Sequence, residues 1–264
     1  MNIFIREMRD HLKGLIIWSV VVLAFMVMVF MEFQAYYNNP EMGEILDTMP
    51  KGMLEAFGMY GANLTTINGY MSIVALYLYI MLGIFAVLLG NNIIGKEERD
   101  KTGEFLMSMP IKRYRVLISK VGAAVLNCLL LTVVSGIGIA IAIYQYNPER
   151  ENIEYIFQIL TAAFFIQMIF LSLGLFIAAS TRVFKKSSAL SVALVVITYI
   201  LSVIQSLSES VDFLKYVTPF KYYQASDILQ NKGFQSIYLG LTAMIVVIAT
   251  FGVFYVYPRR DLNL

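Results

Sequence analysis

The sequence predicts an all-α membrane protein with six transmembrane helices. Three observations predict it: a charge-poor apolar composition, six long stretches without a charged residue, and a lopsided placement of Lys and Arg. Of the 264 residues, 59% are hydrophobic and 14% charged, and the mean hydropathy is +0.70. A soluble domain is nearer half apolar and a quarter charged. The chain therefore reads as one membrane domain, residues 1–264, with no room for a large soluble part.

Residues 14–31, 121–148, 156–180, 187–208 and 233–258 hold no Asp, Glu, Lys or Arg, and neither does the stretch 56–95. A helix needs about 20 apolar residues to cross the hydrocarbon core. The six spans are placed at about 14–33, 70–94, 117–145, 156–180, 187–207 and 236–257. Between Leu15 and Phe30 the first span carries eleven Leu, Ile, Val or Phe residues. They supply roughly −3 to −7 kcal/mol toward insertion. That stretch is too long for a signal-peptide core, and no small-x-small cleavage site follows it.

Lys and Arg sort the two sides. The segments before span one, between spans two and three (counting Lys120 at the entry to span three), between four and five, and after six together hold 15 of the 20 Lys and Arg. The richer side is read as cytoplasmic, with both termini inside.

The loops add detail. Residues 1–12 form an amphipathic segment, with Ile3, Phe4, Ile5, Met8 and Leu12 against Arg6, Glu7, Arg9 and Asp10. They read as a short interfacial helix before the chain turns into the membrane. The acidic outer loop 34–69 is expected to form one or two small helices around 42–57, or a re-entrant start to span two. The outer segment 208–235 reads as short aromatic-rich helices in the outer leaflet. Residues 95–120 are the most informative: charges at 96–101, then Phe105, Leu106 and Met109 at helical spacing, then Pro110. A short helix with that patch either lies on lipid or docks on another protein.

Other features exclude function classes. Cys128 is the only cysteine and His11 the only histidine, so intrachain disulfides and multi-His metal sites are ruled out. His11 is expected to be solvated or headgroup-facing, and Cys128 to be a packing residue. Gly90 to Lys96 imitates a phosphate loop, but Glu97 stands where a hydroxyl is needed and no strand precedes it. No ionisable residue lies within the core of a span, which counts against proton- or ion-coupled transport. Gly136-x-x-x-Ala140, Gly138-x-x-x-Ala142 and Gly174-x-x-x-Ala178 permit close helix approach, either within the chain or at a dimer contact. Asn127, Gln158, Gln167 and Gln205 are the buried polar candidates, expected to bond between helices.

The run Glu98, Thr102-Gly103-Glu104-Phe105-Leu106, Met109-Pro110, Arg113, Lys120 resembles the first cytoplasmic loop of type-2 ATP-binding-cassette (ABC) exporter permeases. The order of elements is similar along the whole chain, including Pro219-Phe220-Lys221-Tyr222 and Asp227-Ile228-Leu229 before the last span. The resemblance implies that the loop helix is a coupling helix docked on a separate ATPase subunit through Arg99, Lys101, Glu104, Phe105, Leu106 and Met109. Arg182, Phe184 and Lys185 would be a second cytoplasmic contact, and Pro219, Phe220 and Tyr222 the outer-segment motif. It implies an assembly of two such chains, read as a homodimer, with two ATPase subunits in a bacterial plasma membrane. Mg-ATP would be bound by the partner, with no catalytic residue, metal or cofactor in this chain and no nucleic-acid partner. The expected function is ATP-driven export of a drug, antimicrobial peptide, lipid or ion. The rival readings are an ATP-independent transporter or channel, and a membrane sensor or anchor for an ATPase.

Overall fold

In the computed structural model the described residues are 3–37, 39, 50, 54, 62–99, 113–181, 183–231 and 233–259. They form eight α-helices and three short 3-10 segments, with no strand among them. Six helices are long and apolar enough to cross a membrane. These are α1 (Ile3–Tyr36), α2 (Ile67–Arg99), α3 (Arg113–Ile143), α4 (Arg150–Ser180), α5 (Phe184–Leu207) and, after two short helices, α8 (Ser236–Val256).

Helix α1 departs from the expected break after residue 12. The amphipathic segment and the first span are one helix of 34 residues, about 51 Å long at 1.5 Å per residue. The hydrocarbon core is about 30 Å thick, so the first turns of α1 extend beyond it. Nothing interrupts the helix, because residues 3–36 contain no Pro and the one Gly, Gly14, sits in open space.

The bundle is organised on α2 and α4, which run side by side along most of their length. Glycine sets that approach. A Cβ at Gly90 would lie 2.6 Å from the Leu171 carbonyl oxygen, and one at Gly174 would press still closer on the Val87 carbonyl. Gly138 faces Leu23 and Met26 of α1, and Gly136 faces Leu160 of α4. The glycines of all three small-residue motifs thus pack against neighbouring helices of the same chain. Gly69 completes the set, because the Asn63 carbonyl occupies the place of its missing Cβ. That turn is closed by Asn63 Oδ1, which accepts from the Thr65 amide at 3.0 Å and its hydroxyl at 2.8 Å.

The segment between α5 and α8 is short-helical, as its composition predicts. A 3-10 run covers Glu209–Tyr216, followed by α6 (Pro219–Tyr222) and α7 (Ala225–Asn231). Pro219 sits at the first helical position, where its missing N–H costs nothing. Two of the polar candidates bond between helices: Thr132 Oγ1 donates to Gln167 Oε1 at 3.0 Å, and Asn127 Nδ2 reaches Met8 Sδ at 3.2 Å. Gln205 instead donates to Asp212 Oδ1 at 3.2 Å in the short-helical segment, and Gln158 lines a cavity with Asn68 and Tyr155.

Candidate functional site

The face of the bundle that carries both termini is fixed by contacts. Glu7 meets Lys120, and Arg113 Nη1 donates to the Pro258 carbonyl at 2.8 Å. From this termini face α2 ends and α3 begins, so the connecting loop 100–112 leaves from it. Lys101, Glu104, Phe105, Leu106 and Met109 lie outside the described residues, as does Arg182. The stems of the loop are described, and they carry the site.

Helix α2 ends with Lys96 and Arg99 in its last turn, where positive charge complements the helix dipole. Lys96 Nζ donates to Glu7 Oε2 at 2.9 Å and to Asp10 Oδ2 at 2.6 Å. Lys120, two turns into α3, is fully buried; its Nζ donates to the Ile93 carbonyl at 2.5 Å and lies 3.4 Å from Glu7 Oε1. Glu7 is itself buried on α1. Arg6 flanks Asp10 at 3.8 Å. Four charged side chains of α1, α2 and α3 therefore converge, two of each sign. A buried ion costs several kcal/mol in desolvation, which only close, hydrogen-bonded counter-charges offset. The two oxygens of Glu7, one facing each lysine, meet that condition.

His11 is corrected by the same geometry. Its side chain is 15% exposed and its Nε2 lies 3.8 Å from Glu7 Oε2, so it is packed beside the ion cluster rather than solvated. The reason is α1's continuity, which carries His11 along the face that meets α2 and α3.

Two predicted contact residues are brought together. The Arg99 guanidinium stands 5.4 Å from the centroid of the Phe184 ring, a cation–π distance. The same ring lies 2.6 Å from where a Cβ on Gly95 would be. The stem of the loop thus packs on the start of α5, while Lys185 remains exposed there. Pro219, Phe220 and Tyr222 lie on the opposite face and are buried. The Phe220 ring is 5.4 Å from Phe170, and Tyr222 stacks on Tyr238 at 5.3 Å. Next to them Asp227 is pushed above the usual carboxylate range by burial, against the opposing pull of Lys221.

Sequence reasoning missed the ion cluster. Lys96 and Lys120 read as loop charges, and Glu7 and Asp10 as the polar side of an interfacial helix. One signal was present: Glu7 and Asp10 are the only acids before Glu32, and their spacing puts both on one helix face. The phosphate-loop imitation is also resolved, since Gly90 to Lys96 is continuous helix and Lys96 is ion-paired.

No curated protein matches the chain. The family model described as ABC-2 family transporter protein matches residues 1–262. With six membrane-crossing helices and a charged loop leaving the termini face from buried stems, that match covers nearly the entire sequence, and the chain belongs to the ABC-2 transporter family of membrane permeases.

Proposed function

We propose that this chain is the permease subunit of an ATP-driven exporter, with ATP hydrolysed by a separate subunit docked on the 100–112 loop. The observation that carries the reading is the family match over residues 1–262, joined to a loop whose stems are tied into the bundle. A loop rooted in buried charge can pass a displacement to the helices, whereas a loop on exposed, flexible stems would dissipate it. The termini face is then the cytoplasmic one, as its share of Lys and Arg favours, in a bacterial plasma membrane.

The working unit is two copies of this chain with two ATPase subunits, and Mg-ATP belongs to the partner. Closure of the ATPase pair moves the loops, and the two six-helix halves pass between two states biased by nucleotide. Phe105, Leu106 and Met109 form the apolar docking face, flanked by Arg99, Lys101 and Glu104. Phe184 and Lys185, with Arg182, form the second contact. The cargo is a drug, antimicrobial peptide, lipid or ion.

The test is purification of the tagged chain from native membranes beside a Phe105→Asp, Leu106→Asp variant, with vanadate-sensitive ATPase activity as the readout. The expected result is an ATPase subunit bound to the wild type and lost from the variant. A wild-type chain that purifies alone and inactive points instead to an ATP-independent transporter or channel. An active complex that moves no cargo into vesicles points to a sensor or anchor.

A further inference from the structure

One carboxylate closes the connecting loop at its base. Lys96 stands at the end of α2 before the loop, and Lys120 stands on α3 after it. Both reach Glu7, one at each oxygen, at 2.9 and 3.4 Å. The lysines are held by other groups as well, Lys96 by Asp10 at 2.6 Å and Lys120 by the Ile93 carbonyl at 2.5 Å. Met8 adds a contact of its own to Asn127 of α3. Glu7 is the group that joins both stems to a third helix.

That helix is α1, unbroken from Ile3 to Tyr36. Its far end is fixed too, since Tyr70 of α2 donates to the Val29 carbonyl at 2.7 Å. A shift of the loop stems cannot leave α1 behind without parting a buried carboxylate from two buried ammonium groups. Anchoring alone would not need charge: farther along, α1 buries Leu15, Val22 and Met26. Apolar packing is usually the better stabiliser of the two, and the best-attested use of buried ions is to fix one register or state.

We propose that Glu7 is a positioning residue that couples the 100–112 loop to the first span, so that movement imposed on the loop is carried through α1 to the far side of the membrane. The coupling role rests on the permease reading above; the tie between Glu7 and the stems does not.

The test therefore has two arms. In the first, hydrogen exchange is measured on the chain alone, in nanodiscs, for wild type, Glu7→Gln and Glu7→Asp. Exchange at residues 93–99 and 113–120 rises by about tenfold or more in Glu7→Gln and stays near wild type in Glu7→Asp. Unchanged exchange in Glu7→Gln overturns the proposal. In the second arm the complex with its ATPase carries spin labels at Gln34→Cys and Ile237→Cys in a Cys128→Ser background. The distance between them changes on adding ATP and vanadate in the wild type. In Glu7→Gln the ATPase stays bound and turns over, but that change is lost; in Glu7→Asp it is kept. Lys96→Gln, which leaves Glu7 with Lys120, is the milder variant should Glu7→Gln not fold, and it reduces the change. A full distance change in Glu7→Gln shows a merely structural ion cluster and overturns the coupling role. If the wild type holds no ATPase, the permease reading and the coupling role fall together, while the exchange arm still reports whether Glu7 ties the stems.

Discussion

At one end of α1, Glu7 is held by Lys96 of α2 and Lys120 of α3. At the other end, Phe33 is held by Tyr70 of α2 and by Tyr146, which follows α3. Helices α1 and α2 thus meet near opposite ends of α1, with α3 at one joint and the 3-10 turn that follows it at the other, and the two joints rest on opposite chemistry. At the Phe33 end the joint is spread over rings. Phe33 stacks on Tyr70 at 4.5 Å and meets Tyr146 at 4.9 Å and Tyr37 at 5.4 Å, while Phe30 adds contacts at 6.0 Å to both Phe33 and Tyr70. Each such pair contributes about 0.5–1.5 kcal/mol, so losing one leaves the others. At the Glu7 end four charges share one site, and three of them, Glu7, Lys96 and Lys120, are buried where solvent does not substitute for a lost partner. The aromatic joint degrades gradually, and the ionic joint is nearer all or none. A joint of the second kind belongs where two discrete states are needed.

The sharpest way to break the comparison is Lys120→Met. It keeps the apolar stem and removes the ammonium, leaving Glu7 with half its counter-charge and the Ile93 carbonyl without this donor. Breaking a buried ion pair from one side costs about 3–5 kcal/mol, read as a lower midpoint of denaturant-induced unfolding in detergent. The double variant Glu7→Gln, Lys120→Met is expected to cost less than the sum of the single changes, because the orphaned charge goes with its partner. Strict additivity would mean that Glu7 and Lys120 are not coupled, and that their 3.4 Å approach is incidental.

How far each joint was legible follows from its chemistry. Six spans were readable because apolar length is a local property of the sequence, and α2, α4 and α5 begin or end close to the limits of the uncharged stretches. The short helices at 209–231 were readable from Pro219 and the run of aromatics. The ion cluster was not, because its members come from distant parts of the chain, as Asp10 and Lys96 do, or Glu7 and Lys120. Nothing local distinguishes a lysine that ends a membrane helix and snorkels from one that turns inward. The continuity of α1 was missed for a related reason: an amphipathic stretch followed by an apolar one fits a bend and a straight rod equally well. Of the proposed docking residues, the described ones divide. Arg99 and Phe184 proved to be neighbours, a pairing across two intervening membrane helices that local spacing could not reveal. The docking face itself, Lys101 to Met109, lies outside the described residues.

At the aromatic end the expected effects are smaller. Phe33→Leu keeps the volume roughly but removes the ring contacts, at a cost of about 1–2 kcal/mol, measured in the same unfolding experiment. The least is expected of Tyr70→Phe. It deletes only the hydroxyl that donates to the Val29 carbonyl at 2.7 Å and leaves the stacked ring on Phe33. Side-chain hydrogen bonds between membrane helices average about 0.6 kcal/mol, because the unfolded chain in the membrane also finds partners. A loss of that size would confirm that the ring, not the hydroxyl, makes this joint. A loss approaching that of Lys120→Met would mean that both ends of α1 rest on single polar contacts, and the contrast between a graded joint and a discrete one would be gone.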